Sequence, residues 1–171
     1  MKHLTTCTIS TPIGELFAAA SEEALSILEF SDRGNLESRL QRWWQQANIT
    51  FISGTNSILE KLSEELKRYF DGELKTFSIP LVFNGSEFQK KVWKQLVDIP
   101  YGVTYSYKEL SEQLGDQNAV RAVARANGEN AIAIIVPCHR VIGADGSLTG
   151  YSGGIERKRY LLNLERKNRS F

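Results

Sequence analysis

The sequence has little of what marks a secreted, membrane-bound or metal-built protein. Of its 171 residues only two are cysteines, Cys7 and Cys138, and only two are histidines, His3 and His139. Two cysteines cannot make a disulfide framework, and a reducing compartment leaves both as thiols. His3 and Cys7 lie close in sequence, but two ligands are not a zinc site, and no further pair with metal-ligand spacing follows. That pair reads as structural or incidental, so no metal is expected from it. No apolar run approaches the ~20 residues that a membrane-spanning helix needs. Residues 1–10 lack the apolar core of a secretory signal, so the expected location is the cytoplasm. There is no internal repeat and no low-complexity segment. Net charge is also small, at +1.

What is present is the composition of a soluble globular protein, with 42% hydrophobic and 24% charged residues. The length suits one ordinary domain or two small ones. The charge is unevenly spread. Residues 1–80 carry 8 Lys+Arg against 11 Asp+Glu, and residues 81–171 carry 13 against 9. An acidic first half and a basic second half suggest two modules, divided at 80/81, with the second suited to an anion such as nucleic acid. The alternative is scatter in a nearly neutral chain.

The first half reads as a small sheet with helices. Leu4 to Ser10, Leu16 to Ala20 and Leu25 to Phe30 have strand character, and Thr11-Pro12-Ile13-Gly14 is a turn signal. They predict an antiparallel meander. Leu36 to Ala47 reads as a helix with Leu36, Leu40 and Trp43 or Trp44 on one side. Thr55 to Phe70 reads as a second helix with a wide apolar stripe, stopped by Asp71-Gly72. Residues 71–86 read as the linker. None of this half carries a chemical motif.

The second half is better punctuated. Ser86 with Gln89, and Ser106 with Glu109, are capping-box patterns that open two helices. Gly115 suits the end of the second. Asn118 is placed to cap a third, Ala119 to Asn127. Two short helices joined at a glycine have the shape of a helix-turn-helix. In the third helix Ala119, Ala122, Ala124 and Ala126 keep the rod slim, while Arg121 and Arg125 lie one turn apart on one face. Such a helix can approach a surface closely and offer two guanidinium groups to phosphates or to a gap in a base stack. Equally, it can be a packed helix with solvated arginines.

The chemistry concentrates further on. An apolar run, Ile132 to Val136, ends at Pro137-Cys138-His139-Arg140. The run reads as a buried strand or connector, and Pro137 stiffens the chain where it delivers Cys138. A thiol with an imidazole beside it is a candidate activated nucleophile, because the thiolate is the reactive form. The alternative is a buried, inert cysteine. The glycines of Thr149-Gly150-Tyr151-Ser152-Gly153-Gly154 can bring backbone N–H groups close to a ligand. Arg157 to Leu164 reads as a basic helix with Glu165 at its end. A Glu165 in reach of His139 completes a Cys-His-Glu relay.

Several stretches together resemble the O6-alkylguanine-DNA alkyltransferase family. They are Pro137-Cys138-His139-Arg140-Val141, Asn130 eight positions before the cysteine, and Tyr151-Ser152-Gly153-Gly154 after it. The likeness extends to Thr11-Pro12-Ile13-Gly14, Phe88-Gln89, Val92-Trp93, Ile99-Pro100-Tyr101-Gly102 and Ser106-Tyr107, and so covers nearly the whole chain. It implies an α+β fold: an N-terminal ribonuclease-H-like α/β domain with antiparallel strands, then a mostly helical, winged-helix-like domain carrying the helix-turn-helix. It also implies direct-reversal DNA repair. One alkyl group passes from O6 of guanine, or less well from O4 of thymine, to the protein's own cysteine, once per molecule and after nucleotide flipping. The expected partner is double-stranded DNA, bound in the minor groove by a monomer.

Residue by residue, the resemblance makes Cys138 the alkyl acceptor and His139 the base, acting through a water and held by Glu165. Asn130 braces the active-site turn, and Tyr107 serves the departing guanine. Arg121 fills the space of the flipped nucleotide, with Ala122 beside it on the slim helix. The backbone around Val141, Ser152 and Gly153 meets the base. Ala131 stands where many relatives have proline, which implies a looser turn. Two rival functions remain compatible with the residues: a Cys-His-Glu hydrolase or acyl transferase, and a non-catalytic sensor of alkylated DNA.

Overall fold

The computed structural model describes residues 2–169. The side chain of Trp44, which the apolar pattern of the first helix includes, lies outside the described residues. The chain forms two compact units, Met1–Val82 and Phe83–Phe171.

The first unit is a four-stranded sheet with two helices. Strands β1 (Lys2–Thr11), β2 (Gly14–Ala20) and β3 (Leu25–Phe30) form the meander, joined by a turn in which Gly14 takes φ 123°. A fourth strand, β4 (Ile49–Ser53), follows helix α1 (Leu36–Ala47) and lies parallel to β1, giving the order β3-β2-β1-β4. Sequence reading missed β4, and the sheet is mixed rather than wholly antiparallel. The strand is short, sits at an edge and is partly exposed, so it lacks a clean alternation. Leu4, Ala19, Ile27 and Ile49 form a buried cluster against which Leu40 and Trp43 of α1 pack. All six residues of β3 are buried, so both of its faces are covered.

Helix α2 (Ser57–Phe70) begins two residues later than the apolar stripe suggests. The Asn56 side chain caps it by accepting from the Leu59 N–H at 2.9 Å. Much of the stretch read as a linker is fixed to this unit instead. Ser78 donates through its N–H and hydroxyl to Glu65 of α2, at 2.9 and 2.5 Å. Leu25 N–H donates to Pro80 O, and Val82 N–H donates to Leu25 O. Unpaired backbone groups of β3 recruited this segment.

The second unit is mostly helical. Helix α3 (Glu87–Val97) and helix α4 (Tyr107–Gln113) both open on complete capping boxes, at Ser86/Gln89 and Ser106/Glu109. Helix α5 (Val120–Gly128) does not use Asn118 as its cap. Asp116 instead accepts from the Asn118 N–H at 2.9 Å, capping a single 3₁₀ turn over Gln117–Ala119, and α5 continues from it. Trp93 Nε1–H donates to Ala126 O at 2.8 Å, which fastens α3 to α5. Two short parallel strands pair in this unit, β5 (Tyr105–Ser106) just before α4 and β6 (Val141–Ile142) after α5. Helix α6 runs Ile155–Asn168, longer than expected, so Glu165 lies inside it rather than at its end. Ile132 to Val136 is a buried connector and not a strand.

Candidate active site

The connector from Asn130 to Cys138 is a sequence of tight turns. Ile135 N–H donates to Ala133 O at 2.8 Å, closing a three-residue turn around Ile134, whose φ is 71°. A β-branched residue in the left-handed region is strained, and such strain persists only where the surroundings enforce it. Cys138 N–H donates to Val136 O at 2.8 Å, closing a second such turn around Pro137, at φ −81° and ψ 62°. Here the proline ring favours the φ the turn requires. The buried side chain of Asn130 encloses both turns. Its Nδ2 donates to Ile132 O (3.2 Å), Val136 O (2.9 Å) and Cys138 Sγ (3.2 Å), and its Oδ1 accepts from Ile132 N–H (3.0 Å). These bonds form with Ala131 in the turn, so proline at that position is not needed to make them.

Cys138 to Arg140 then form one 3₁₀ turn, all three buried. His139 Nε2 lies 2.7 Å from Glu165 Oε2. Glu165 also accepts from Arg140, through Nε at 2.7 Å and through the second guanidinium nitrogen at 3.0 Å, and from Gly102 N–H at 3.2 Å. Arg140 gives its remaining nitrogen to Ile99 O at 2.6 Å and lies over the Tyr101 ring. Burial alone would raise the Glu165 carboxyl, but His139 and Arg140 outweigh it and hold it well below the usual carboxylate range. Burial pushes His139 below its ordinary value, although Glu165 pulls the other way, so the imidazole is neutral at pH 7. An ionised carboxylate only accepts, so Nε2 carries the proton and Nδ1 is the basic nitrogen. Nδ1 has no hydrogen-bond partner among the described residues.

Lys158 of α6 is fully buried, and sequence reading did not single it out. Its Nζ donates to Val141 O (2.6 Å) and Thr149 O (2.9 Å), tying β6 to the glycine-rich loop. Burial pushes the ammonium down, and negative charge on the Cys138 sulfur draws it partly back, so each charge stabilises the other. A signal for it did exist. Lys158, Leu161, Leu162 and Glu165 are the buried residues of α6, at the i, i+3, i+4, i+7 spacing of one helical face. The Ile99 carbonyl that Arg140 meets and the Gly102 N–H that Glu165 meets left no such trace, because only the fold brings them there.

Tyr107, at the start of α4, donates its hydroxyl to Thr149 O at 3.2 Å. Burial, then charge on Cys138, push its pKa up, so it remains a proton donor. Gly150, at φ 62°, lies so close that a Cβ there would be 3.6 Å from the Tyr107 oxygen. Ser152 is exposed and Gly153 partly so, while Val141 is buried with its carbonyl already accepting from Lys158. Arg121, Ala122 and Arg125 are exposed on α5, whose buried residues are Val123, Ala126 and Asn127. The described residues contain no group of three or more His, Cys, Asp or Glu side chains able to hold a metal ion. No helix among them is long and apolar enough to cross a membrane.

A thiol in a fixed turn, a neutral imidazole and an ionised carboxylate are the groups that a nucleophilic centre can use. Two family models match the chain. The ribonuclease-like domain of 6-O-methylguanine DNA methyltransferase matches residues 5–83, and its DNA-binding domain matches residues 87–167. The chain belongs to the O6-methylguanine-DNA methyltransferase family. Among its relatives in this family is the methylated-DNA–protein-cysteine methyltransferase of Mycolicibacterium paratuberculosis. The two are 47% identical over 94% of this chain and 92% of the relative. The protein of that name from Methanosarcina barkeri is 42% identical over 94% and 96%. The crystal structure of Mycobacterium tuberculosis O6-methylguanine methyltransferase aligns with a TM-score of 0.84 at 44% identity, over 99% of this chain and 96% of the other. The structure of the M. tuberculosis protein in complex with DNA aligns at 0.82 and 44%, over 97% and 94%. This chain thus has both domains of the methyltransferase family.

Proposed function

We propose that this protein repairs O6-alkylguanine in double-stranded DNA by taking the alkyl group onto Cys138. The observation that carries the reading is the buried Cys138–His139–Glu165 arrangement, on a turn held by Asn130, in a chain of this family. O6 is hidden in a duplex, so the nucleotide is flipped out, at a cost of a few kcal/mol. The slim face of α5, the second helix of the helix-turn-helix, lies in the minor groove, with Ala122 allowing close approach and Arg121 occupying the vacated space. Val141, Ser152 and Gly153 meet the flipped base.

The thiol proton passes through a water to His139 Nδ1. The thiolate attacks the alkyl carbon, an S–C bond forms, and the C–O6 bond breaks with its electron pair going to the guanine. Tyr107 supports that departure with its hydroxyl proton. The Asn130 amide and the Lys158 ammonium stabilise the sulfur's charge before attack. The product is a thioether, which neither ionises nor leaves easily, so the protein acts once. O4-methylthymine is a poorer substrate of the same site. The reaction needs no cofactor, and the protein works as a cytoplasmic monomer.

The test is intact-protein mass after incubation with a duplex carrying O6-methylguanine. A gain of one methylene per chain is expected, and none for Cys138→Ala. Lesion binding without mass gain identifies a sensor, and turnover of a thioester without DNA identifies a hydrolase. Full transfer by Cys138→Ala would move the acceptor elsewhere, for instance to Cys7.

A further inference from the structure

Glu165 is 0% exposed and holds its charge among partners that include Arg140 and Gly102 as well as His139. A carboxylate this deep has two ways to shed the cost of burial. It can take a proton, or it can hold one on the neighbouring imidazole and make an imidazolium. Either outcome would spoil His139 as a base. Arg140 removes the need for both. Its guanidinium meets the carboxylate through two nitrogens, at 2.7 and 3.0 Å, which fixes the carboxylate plane as well as neutralising it. The guanidinium is itself anchored, by Ile99 O at 2.6 Å and by the Tyr101 ring 5.7 Å from its centre. The turn supplying Ile99 O also supplies Gly102 N–H to Glu165, with Gly102 at φ 76°.

We propose that Arg140 is a positioning residue for alkyl transfer: its two-point grip on Glu165 keeps that carboxylate a pure acceptor, which leaves His139 neutral with the basic lone pair on Nδ1. This rests on the reading of His139 as the base. The charged and titratable groups around His139 fit the assignment. Glu165 and Lys158 act on it from α6 and Arg140 from its own turn, where Cys138 precedes it; Tyr101, from the turn before β5, meets Glu165 and Arg140, and Tyr107 of α4 lies near Cys138. Burial opposes the imidazolium most, Glu165 favours it, and Arg140 and Lys158 add to the opposition. Without Arg140 one of the groups that oppose the imidazolium is lost, and the carboxylate it held is freed toward His139. Lysine at this position would keep the charge and lose the fork.

The experiment is the single-turnover transfer rate against pH, from 5.5 to 9, for wild type, Arg140→Gln, Arg140→Lys and His139→Ala. It is paired with nitrogen NMR of the imidazoles, which is simple in a chain with two histidines. Arg140→Gln is expected to be about tenfold or more slower at pH 7, since general-base help is worth ~10²–10⁴ in rate. Its acid limb should move to higher pH, with recovery of rate toward pH 9. Arg140→Lys, which keeps the charge and loses the fork, should move the limb only part of the way. In wild type, His139 should be neutral at pH 7 with its proton on Nε2. A loss in Arg140→Gln that is equal at every pH would make Arg140 merely structural and overturn the proposal, as would a wild-type rate. Should Arg140→Gln fail to fold, the wild-type spectrum still decides: an imidazolium, or a proton on Nδ1, overturns it. A His139→Ala rate equal to wild type would instead remove the base on which the proposal rests.

Discussion

Asn130 is one neutral side chain that satisfies two backbone carbonyls and donates to the Cys138 sulfur. Asn130→Ala leaves buried carbonyls short of partners, at about 1–3 kcal/mol each. Val136 O keeps the bond from Cys138 N–H and Ile132 O the bond from Val136 N–H, which limits the loss there, whereas Ile132 N–H loses its acceptor. The strained φ of Ile134 also loses the frame that enforces it. The expected result is a fall in unfolding free energy of about 2–4 kcal/mol, measured by urea titration, together with a large drop in transfer rate. A change below ~0.5 kcal/mol would mean that packing of the apolar connector alone holds the turn.

At the scale of the element, α5 divides its labour by face. Val123, Ala126 and Asn127 point inward, and Ala126 O is bonded by Trp93, so the helix is held firmly from behind. Arg121, Ala122 and Arg125 are left exposed. Arg121→Ala should slow transfer from duplex DNA more than transfer from free O6-alkylguanine base, because a free base needs no extrusion. Equal loss on both substrates would place Arg121 in support of the fold or the pocket. Ala122→Leu adds bulk to an exposed position, so stability should move by no more than about 0.5 kcal/mol. Binding to duplex should weaken nonetheless, which fluorescence anisotropy on a labelled duplex can measure.

For the molecule as a whole, the buried ionic cluster sets a pH dependence with a definite sign. His139 is held below its ordinary value of 6.5, so below that pH the unfolded chain binds a proton that the folded chain refuses. Stability therefore falls as pH drops from 6.5, by up to about 1.4 kcal/mol per pH unit for one proton. Glu165 acts in the same direction lower down. Its contribution is complete above the ordinary value of 4.5 and is lost as pH falls from there toward its depressed folded value. Thermal unfolding between pH 7 and 5 should show a falling Tm, with a shallower fall in His139→Ala. A Tm slope identical in the two proteins would mean that His139 takes up its proton at the same pH folded and unfolded, and a steeper fall in His139→Ala would mean that the imidazole is already charged in the fold.

Local rules in the sequence were enough to place the first three strands, the helices apart from their exact ends, and both capping boxes. Strand alternation, the 3.6-residue period and side-chain caps all act within a few residues. The same range covers Pro137-Cys138-His139-Arg140 as a stiff delivery of a thiol, and the resemblance supplied roles for Asn130 and Glu165. Tertiary structure decided the rest. β4 becomes a strand only because β1 lies ready beside it, and residues 78–82 are fixed by donors and acceptors on α2 and β3. Glu165 meets His139 and Arg140 across 26 and 25 residues, and Gly102 across 63. Sequence spacing cannot express that a buried carboxylate needs several donors at once. The desolvation of its charge demands them, and only the fold can bring them from separate parts of the chain.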